Sequence, residues 1–75
     1  MTGHFRIEWS PDALDDWRRL PPEAQAPVAR AVERFPSEGV VIARGPSEYL
    51  LLVGVHAVVV LIDGDTLHVD RIRRA

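Results

Sequence analysis

The sequence predicts an α+β fold in the order β-α-α-β-β-β, in which a two-helix hairpin packs on a small antiparallel sheet. The chain opens with alternating apolar and polar residues, continues with two segments of helical apolar spacing, and ends with β-branched runs separated by glycine turns. Its 75 residues provide one domain, residues 1–75, because this length is near the lower limit for a core that outweighs chain entropy.

The predicted first strand covers residues 4–9, where strict alternation separates apolar from polar side chains. The apolar face consists of Phe5, Ile7 and Trp9, and the polar face consists of His4, Arg6 and Glu8. We expect a half-buried strand whose apolar face joins the core.

Two amphipathic helices are predicted next. Ser10 can cap the first helix and Pro11 suits its first position, while the proline pair after Leu20 ends it. The apolar stripes consist of Ala13, Leu14, Trp17 and Leu20 in the first helix and of Val28, Ala31, Val32 and Phe35 in the second. The residues largely outside the first stripe are Asp15, Asp16, Arg18 and Arg19. Pro27 either delays the second helix, which ends by Pro36, or kinks its first turn.

Three strands are predicted in the second half of the chain. They cover residues 49–53, 56–62 and 66–72, with turns at Gly54-Val55 and at Asp63-Gly64-Asp65. The segment Val40–Ala43 is either a short strand or a packed connection, and its four apolar residues do not decide between the two.

Composition excludes several classes of protein. The chain has no cysteine, so it has no disulfide and no thiolate metal site. The first nine residues lack the apolar run of a signal peptide, and the longest apolar stretch, residues 49–62, is too short and too interrupted for a membrane helix. The net charge of −2 gives no large positive field. We expect a soluble cytoplasmic protein without a membrane partner, in which any RNA contact is local.

Neither a metal nor a cofactor is predicted. His4, His56 and His68 are far apart in the sequence, and no acidic or histidine cluster has ligand spacing. Asp63-Gly64-Asp65 is too short for a calcium loop, and a glycine-rich phosphate loop is absent from the sequence.

Two segments resemble the RelE/ParE toxins of bacterial type II toxin–antitoxin systems. The family's capped first helix is similar to WSPDALDDWRRL, residues 9–20, and its three-strand tail is similar to RGPSEYLLLVGVHAVVVLIDGDTLHVDRIRR, residues 44–74. The residues in matching phase are Tyr49, Val53, Gly54, Val58, Val59, residues 62–65 and Val69. The resemblance spans nearly the whole chain, and it implies the RelE/ParE-like fold and a cognate antitoxin as partner.

The chain departs from this resemblance at the catalytic positions. In the ribonuclease members, lysines and arginines on the central hairpin surround the scissile phosphate and stabilise the charge of the transition state. Here Leu50 and Leu52 occupy positions that are usually basic, and Ala57 stands where an arginine is expected. His56 and Val60 replace tyrosines. Losing one such group typically costs about 100- to 1000-fold in rate, so we expect the mRNA interferase site to be largely lost.

Six residues remain as candidates for anion binding or catalysis. The candidates for RNA or phosphate contact are Arg44, Arg71 and Arg74, and the weak catalytic candidates are Arg71, Arg73, Arg74, His56 and His68. Alternation would place Arg71 and Arg73 on one face of the last strand, with His68 and Arg74 on the other. The alternative is that the arginines are solvated and protect an exposed strand, and that His56 merely fills a hairpin position.

Both faces of the central hairpin are apolar. One set consists of Tyr49, Leu51, Val53, Val58, Val60 and Ile62, and the other of Leu50, Leu52, Ala57, Val59 and Leu61. Since two helices cover only one face, we expect the second set to form a partner interface. Its cover is an antitoxin segment, a second copy of the chain in a homodimer, or Val40–Ala43 folded back. A chain isolated from its partner should then be dimeric or poorly soluble.

Three functions are compatible with the sequence. The first is a toxin-like component that acts mainly through protein binding, since ParE-like members are thought to act on DNA gyrase instead of mRNA. The second is a weak ribosome-dependent mRNA endonuclease, which the slightly acidic charge disfavours. The third is a decayed, non-toxic interaction module. Whether the protein is an enzyme stays open at this point.

Overall fold

A five-stranded sheet with two helices on one side forms the fold in the computed structural model, which describes residues 5–75. The elements are β1 (Arg6–Trp9), α1 (Pro11–Arg18), α2 (Pro22–Glu33), β2 (Val40–Ala43), β3 (Glu48–Val53), β4 (His56–Asp63) and β5 (Thr66–Arg74). The predicted α+β class is therefore confirmed. His4, which the sequence assigned to the first strand, lies outside the described residues.

The strand order in the sheet is β1-β5-β4-β3-β2. Consecutive strands from β2 to β5 pair antiparallel, whereas β1 pairs parallel with β5. The sheet is mixed for this reason, whereas the sequence suggested a wholly antiparallel one. Val40–Ala43 pairs with β3 over its full length, which resolves this segment as a strand at the edge.

The helix signals in the sequence correspond to observed capping. The Ser10 hydroxyl accepts a hydrogen bond from the Ala13 amide at 2.9 Å, and this bond satisfies one of the free donors at the start of α1. α2 begins at Pro22, so Pro27 lies inside the helix and does not delay its start. The indole of Trp17 donates to the carbonyl oxygen of Gln25 at 2.9 Å, which ties the two helices together.

The core lies between the helices and one face of the sheet. Its largest fully buried side chains are Leu51, Leu67, Val28, Val32, Val58, Val60 and Val69. Trp9 and Trp17 pack against this cluster with their rings edge to face at 6.4 Å, in agreement with their predicted core positions. No helix within residues 5–75 has the length and apolar character needed to span a membrane.

Candidate partner-binding site

The face of the sheet that the helices leave uncovered, here called the open face, is largely apolar. Leu51, Val58 and Val60 point to the core and are fully buried. The alternating residues of β3 and β4 point the other way and are only partly exposed: Leu50, Leu52, Ala57, Val59 and Leu61. The predicted interface residues thus share one face, while their role as an interface stays a prediction.

A β-bulge in β5 changes which polar side chains reach the open face. Val59 pairs with Arg71 but Val60 pairs with Val69, so Asp70 is the extra residue. Since Val69 and Ile72 are both buried, the side chains of His68, Arg71 and Arg73 lie on the open side of the strand. The expectation that His68 lies opposite Arg71 and Arg73 is wrong, because strict alternation does not continue through a bulge.

Four arginines line a depression on the open face with a volume of about 390 Å³. We call it the arginine depression, and its lining consists of Arg44, Glu48, Leu50, Ala57, Val59, Asp70, Arg71, Arg73 and Arg74. Arg44 follows β2, and the other three arginines come from the end of β5. The structure therefore brings all three predicted phosphate-contact residues next to three of the five predicted interface residues.

Arg71 is held in place by a carboxylate of α1. Its Nε donates to Asp16 Oδ2 at 3.0 Å, and the backbone amide of Ile72 donates to the same oxygen at 3.0 Å. The amide of Ile72 is the main cause of the lowered pKa of Asp16, and Arg71 adds to it. Asp16 in turn raises the pKa of Arg71, so this guanidinium stays charged. Since the bond uses Nε, the terminal nitrogens of Arg71 are not needed for it.

The start of α1 also binds the backbone of β5 at the bulge. The Ser10 hydroxyl donates to the carbonyl oxygen of Asp70 at 2.8 Å, and the Ser10 amide donates to the carbonyl oxygen of Val69 at 2.9 Å. β1 pairs with β5 as far as Val69, and the start of α1 covers the edge of β5 beyond that point.

Sequence reasoning missed the role of Asp16. It was placed largely outside the apolar stripe of the first helix, yet its side chain is only 15% exposed. Asp16 is three residues after the fully buried Ala13, so helical spacing puts the two on neighbouring parts of the same face. That spacing was the available signal. The identity of its partners, 55 and 56 residues away, has no local signature.

The two histidines lie outside the arginine depression. His56 lines a separate, mainly apolar groove of about 440 Å³ between α2 and the β3–β4 turn, which it shares with Arg74. His68 Nδ1 lies 3.6 Å from Glu8 Oε1, and His68 pairs with Leu61 in the sheet but does not line the depression. Among the described residues, Arg74 alone lines both the depression and the groove that contains His56, so the five weak catalytic candidates do not form one cluster.

The chemistry of the arginine depression suits anion binding. Guanidinium groups bind carboxylates and phosphates through paired N–H donors. Among the described lining residues there is no histidine, lysine or tyrosine, and Glu48 and Asp70 are the ones that could accept a proton. Within residues 5–75, potential metal ligands do not occur in groups of three or more.

Three solved structures with a similar fold are chains from toxin–antitoxin systems. A chain of the RelBE2 complex of Mycobacterium tuberculosis is 20% identical with a TM-score of 0.76, over 96% of this chain and 99% of that one. A chain of the RelB–RelE complex of Methanococcus jannaschii is 12% identical with a TM-score of 0.70, over 89% and 88%. A chain of the ParDE system of P. aeruginosa is 13% identical with a TM-score of 0.68, over 99% of both.

These similarities establish a RelE/ParE-like fold, which confirms the fold that the sequence resemblance implied. No protein-family model matches the chain. No curated protein is a significant match.

Proposed function

We propose that this chain is the toxin-like component of a type II toxin–antitoxin pair and that it acts mainly by binding a protein partner on its open face. The observation that carries this proposal is the arginine depression, which combines a floor of Leu50, Ala57 and Val59 with a rim of arginines. The structural neighbours support a toxin–antitoxin role because all three are toxin–antitoxin complexes.

The depression defines the chemistry of the partner. An apolar floor surrounded by guanidinium groups favours an amphipathic segment whose aliphatic side chains are flanked by carboxylates. Each large aliphatic side chain that becomes fully buried contributes about 1.5 to 3 kcal/mol. An antitoxin tail with this pattern would bind here, whereas a strongly basic partner would be repelled by the rim.

Binding is favoured over RNA cleavage by the residues at the centre of the depression. Leu50 and Ala57 can neither donate a hydrogen bond nor carry charge, so they cannot stabilise a developing charge on a phosphate. Arg71 is paired with Asp16 through Nε at 3.0 Å, and this carboxylate offsets its positive charge. A general base and acid would both have to come from Glu48 and Asp70, the carboxylates in the lining.

A weak ribosome-dependent mRNA endonuclease is the second candidate. The presence of Arg44, Arg73 and Arg74 in the lining favours it, because clustered arginines attract an RNA phosphate. This activity would depend on Arg73 and Arg74 and would leave Leu50 without a role.

A growth assay separates the two candidates. The chain is induced alone in a bacterial host, then together with the product of the small gene expected beside its open reading frame. We expect arrested growth, rescue by the neighbour, and no specific mRNA cleavage by primer extension. Specific cleavage that Arg74→Ala abolishes would establish the endonuclease instead. Normal growth on induction, or the absence of a small neighbouring gene, contradicts a toxin role.

A further inference from the structure

β2 is an edge strand without the usual protection against strand pairing. It is the last strand of the sheet and pairs with β3 on one side. Its sequence, VVIA, contains no charge and no proline, and Val40 and Ile42 are 59% and 42% exposed. The other edge strand, β1, carries the charged residues Arg6 and Glu8, one common device that prevents association.

The pairing with β3 determines which backbone groups β2 offers to a partner. The Arg44 amide donates to the carbonyl oxygen of Glu48 at 2.7 Å, so this is a hydrogen-bonded pair of the ladder. Because such pairs alternate along antiparallel strands, the even-numbered residues of β2 also face β3. The N–H and C=O groups of Val41 and Ala43 therefore point outward from the sheet.

We propose that β2 pairs antiparallel with β2 of a second copy of this chain, about a two-fold axis at Val41. Val41 then lies opposite Val41 as a hydrogen-bonded pair, and Ala43 lies opposite Gly39. Each exposed Val40 covers the Ile42 of the other copy. Two five-stranded sheets become one sheet of ten strands, and this closes an edge that each monomer leaves open.

The strand is complementary to itself in this register. A shift of the axis to Ile42 would set Val40 opposite Arg44, and a shift to Val40 would set Ile42 opposite Glu38. An axis between two residues would set the outward N–H and C=O groups of one copy opposite residues of the other copy whose N–H and C=O groups already bind β3. Only the axis at Val41 brings together the two exposed aliphatic side chains of the strand, which is why the occupant is a second copy.

This dimer would join the two open faces. Cross-strand partners point to the same side of a sheet, so Val40 lies beside Leu52 and Ile42 beside Leu50. The apolar surface is thus continuous from β4 to the dimer axis. Arg44 directly follows β2, so the two arginine depressions lie on either side of the axis. The dimer requires no antitoxin, and it goes beyond the proposed function.

Multi-angle light scattering on the purified chain tests the association. We expect a mass twice the 8.4 kDa of one chain, with dissociation on dilution. The double substitution Val40→Lys with Ile42→Lys should give a folded monomer, because both side chains are exposed. The matched control is Val55→Lys, which changes a 52% exposed valine in the β3–β4 turn and should leave the dimer intact. A wild type that is monomeric at its highest soluble concentration overturns the proposal.

Single cysteines test the register, since the chain contains none of its own. In a hydrogen-bonded antiparallel pair the Cα atoms are about 5.5 Å apart, within the range of a disulfide. With oxidised glutathione, Val41→Cys should cross-link two chains, whereas Ala43→Cys, which lies opposite glycine, should not. Cross-linking of Ile42→Cys in preference to Val41→Cys, equal cross-linking of all three, or a dimer that survives the double lysine substitution overturns the proposal.

Discussion

At the scale of single residues, Asp16 connects the fold to the candidate site. Its Oδ2 accepts hydrogen bonds from the backbone of β5 and from Arg71, both at 3.0 Å. One carboxylate therefore fixes α1 against the sheet and also orients a guanidinium on the rim of the arginine depression. Damage to this residue should affect stability as well as binding.

Replacing Asp16 with alanine should lower the free energy of unfolding by about 1 to 3 kcal/mol, because the partly buried amide of Ile72 loses its acceptor. Urea unfolding followed by circular dichroism measures the change. Asp15→Ala is the control, since Asp15 lies 3.7 Å from Arg18 with both side chains at least 60% exposed. Such surface pairs contribute about 0 to 1 kcal/mol. Equal losses in the two variants would contradict the role of Asp16.

The same carboxylate should make stability depend on pH. The pKa of Asp16 is lowered by the Ile72 amide and by Arg71, so its contribution to stability is present above the unfolded value of about 3.9. That contribution is lost as the pH falls through the folded-state pKa. The pKa of Glu38 is also lowered, chiefly by the hydrogen bond from Arg30, so this carboxylate likewise stabilises the fold less as the pH falls. Unfolding free energies measured at falling pH should decline from about pH 4 downward.

Comparing the variant Asp16→Asn with the wild type shows how much of this loss of unfolding free energy comes from the titration of Asp16. Its acid-dependent loss should be shallower than that of the wild type, because asparagine does not titrate. Identical profiles for the two proteins would assign the pH dependence to Glu38 and the remaining carboxylates.

At the scale of elements, the sequence predicted those parts that depend on local spacing. The capped start of α1 and the β3–β4 hairpin follow from Ser10, Pro11 and the glycine at position 54, whose φ is +60°. These signals lie within a few residues of the elements they specify.

The parts that the sequence did not predict depend on distant contacts. The four apolar residues of β2 have no period, and their strand conformation is set by pairing with β3. The bulge at Asp70 occurs where Ser10 and Asp16 bind the backbone of β5. As a result, the alternation rule separated His68 from Arg71 and Arg73, and the arginine depression could not be assembled from the sequence alone.

Gly39 sets the start of β2 and provides a test at this scale. Its φ is +79°, and a Cβ there would lie 2.7 Å from the carbonyl oxygen of Leu52 and 2.9 Å from Leu51 Cδ1. Gly64 has a φ of +61° with no atom within 4 Å of such a Cβ. Both alanine variants pay about 1 kcal/mol or more for the left-handed backbone. Gly39→Ala should cost about 1 to 3 kcal/mol more, because overpacking is added. Equal thermal unfolding of the two variants would show that β2 moves to relieve the contact.

At the scale of the whole molecule, charge and apolar surface are distributed unevenly. The net charge is −2, yet four of the nine basic residues line the arginine depression. The helices close one face of the sheet, and the open face keeps five apolar residues from β3 and β4. An acidic chain that concentrates cations around an apolar floor is suited to a partner that is both acidic and amphipathic.

Lysine at positions 50 and 52 should separate partner binding from folding. Both leucines point away from the core, so Leu50→Lys with Leu52→Lys should leave the circular dichroism spectrum and the urea midpoint nearly unchanged. In the complex, the two ammonium groups would be buried without partners, next to an arginine rim. An uncompensated buried charge costs about 3 to 5 kcal/mol, which corresponds to roughly 100-fold or greater loss of affinity. Titration calorimetry with the neighbouring gene product measures this loss.

Val55→Lys is the control for added positive charge, because it places one lysine, against two in the double variant, at a 52% exposed valine in the β3–β4 turn and should keep wild-type affinity. The control alters a different part of the surface, so it shows whether an added positive charge by itself weakens binding. A partner that binds the double variant as tightly as the wild type must lie elsewhere, and the groove beside His56 would then be the next surface to test. A loss confined to the double variant places the partner on the open face, where the arginine rim and the leucines act together.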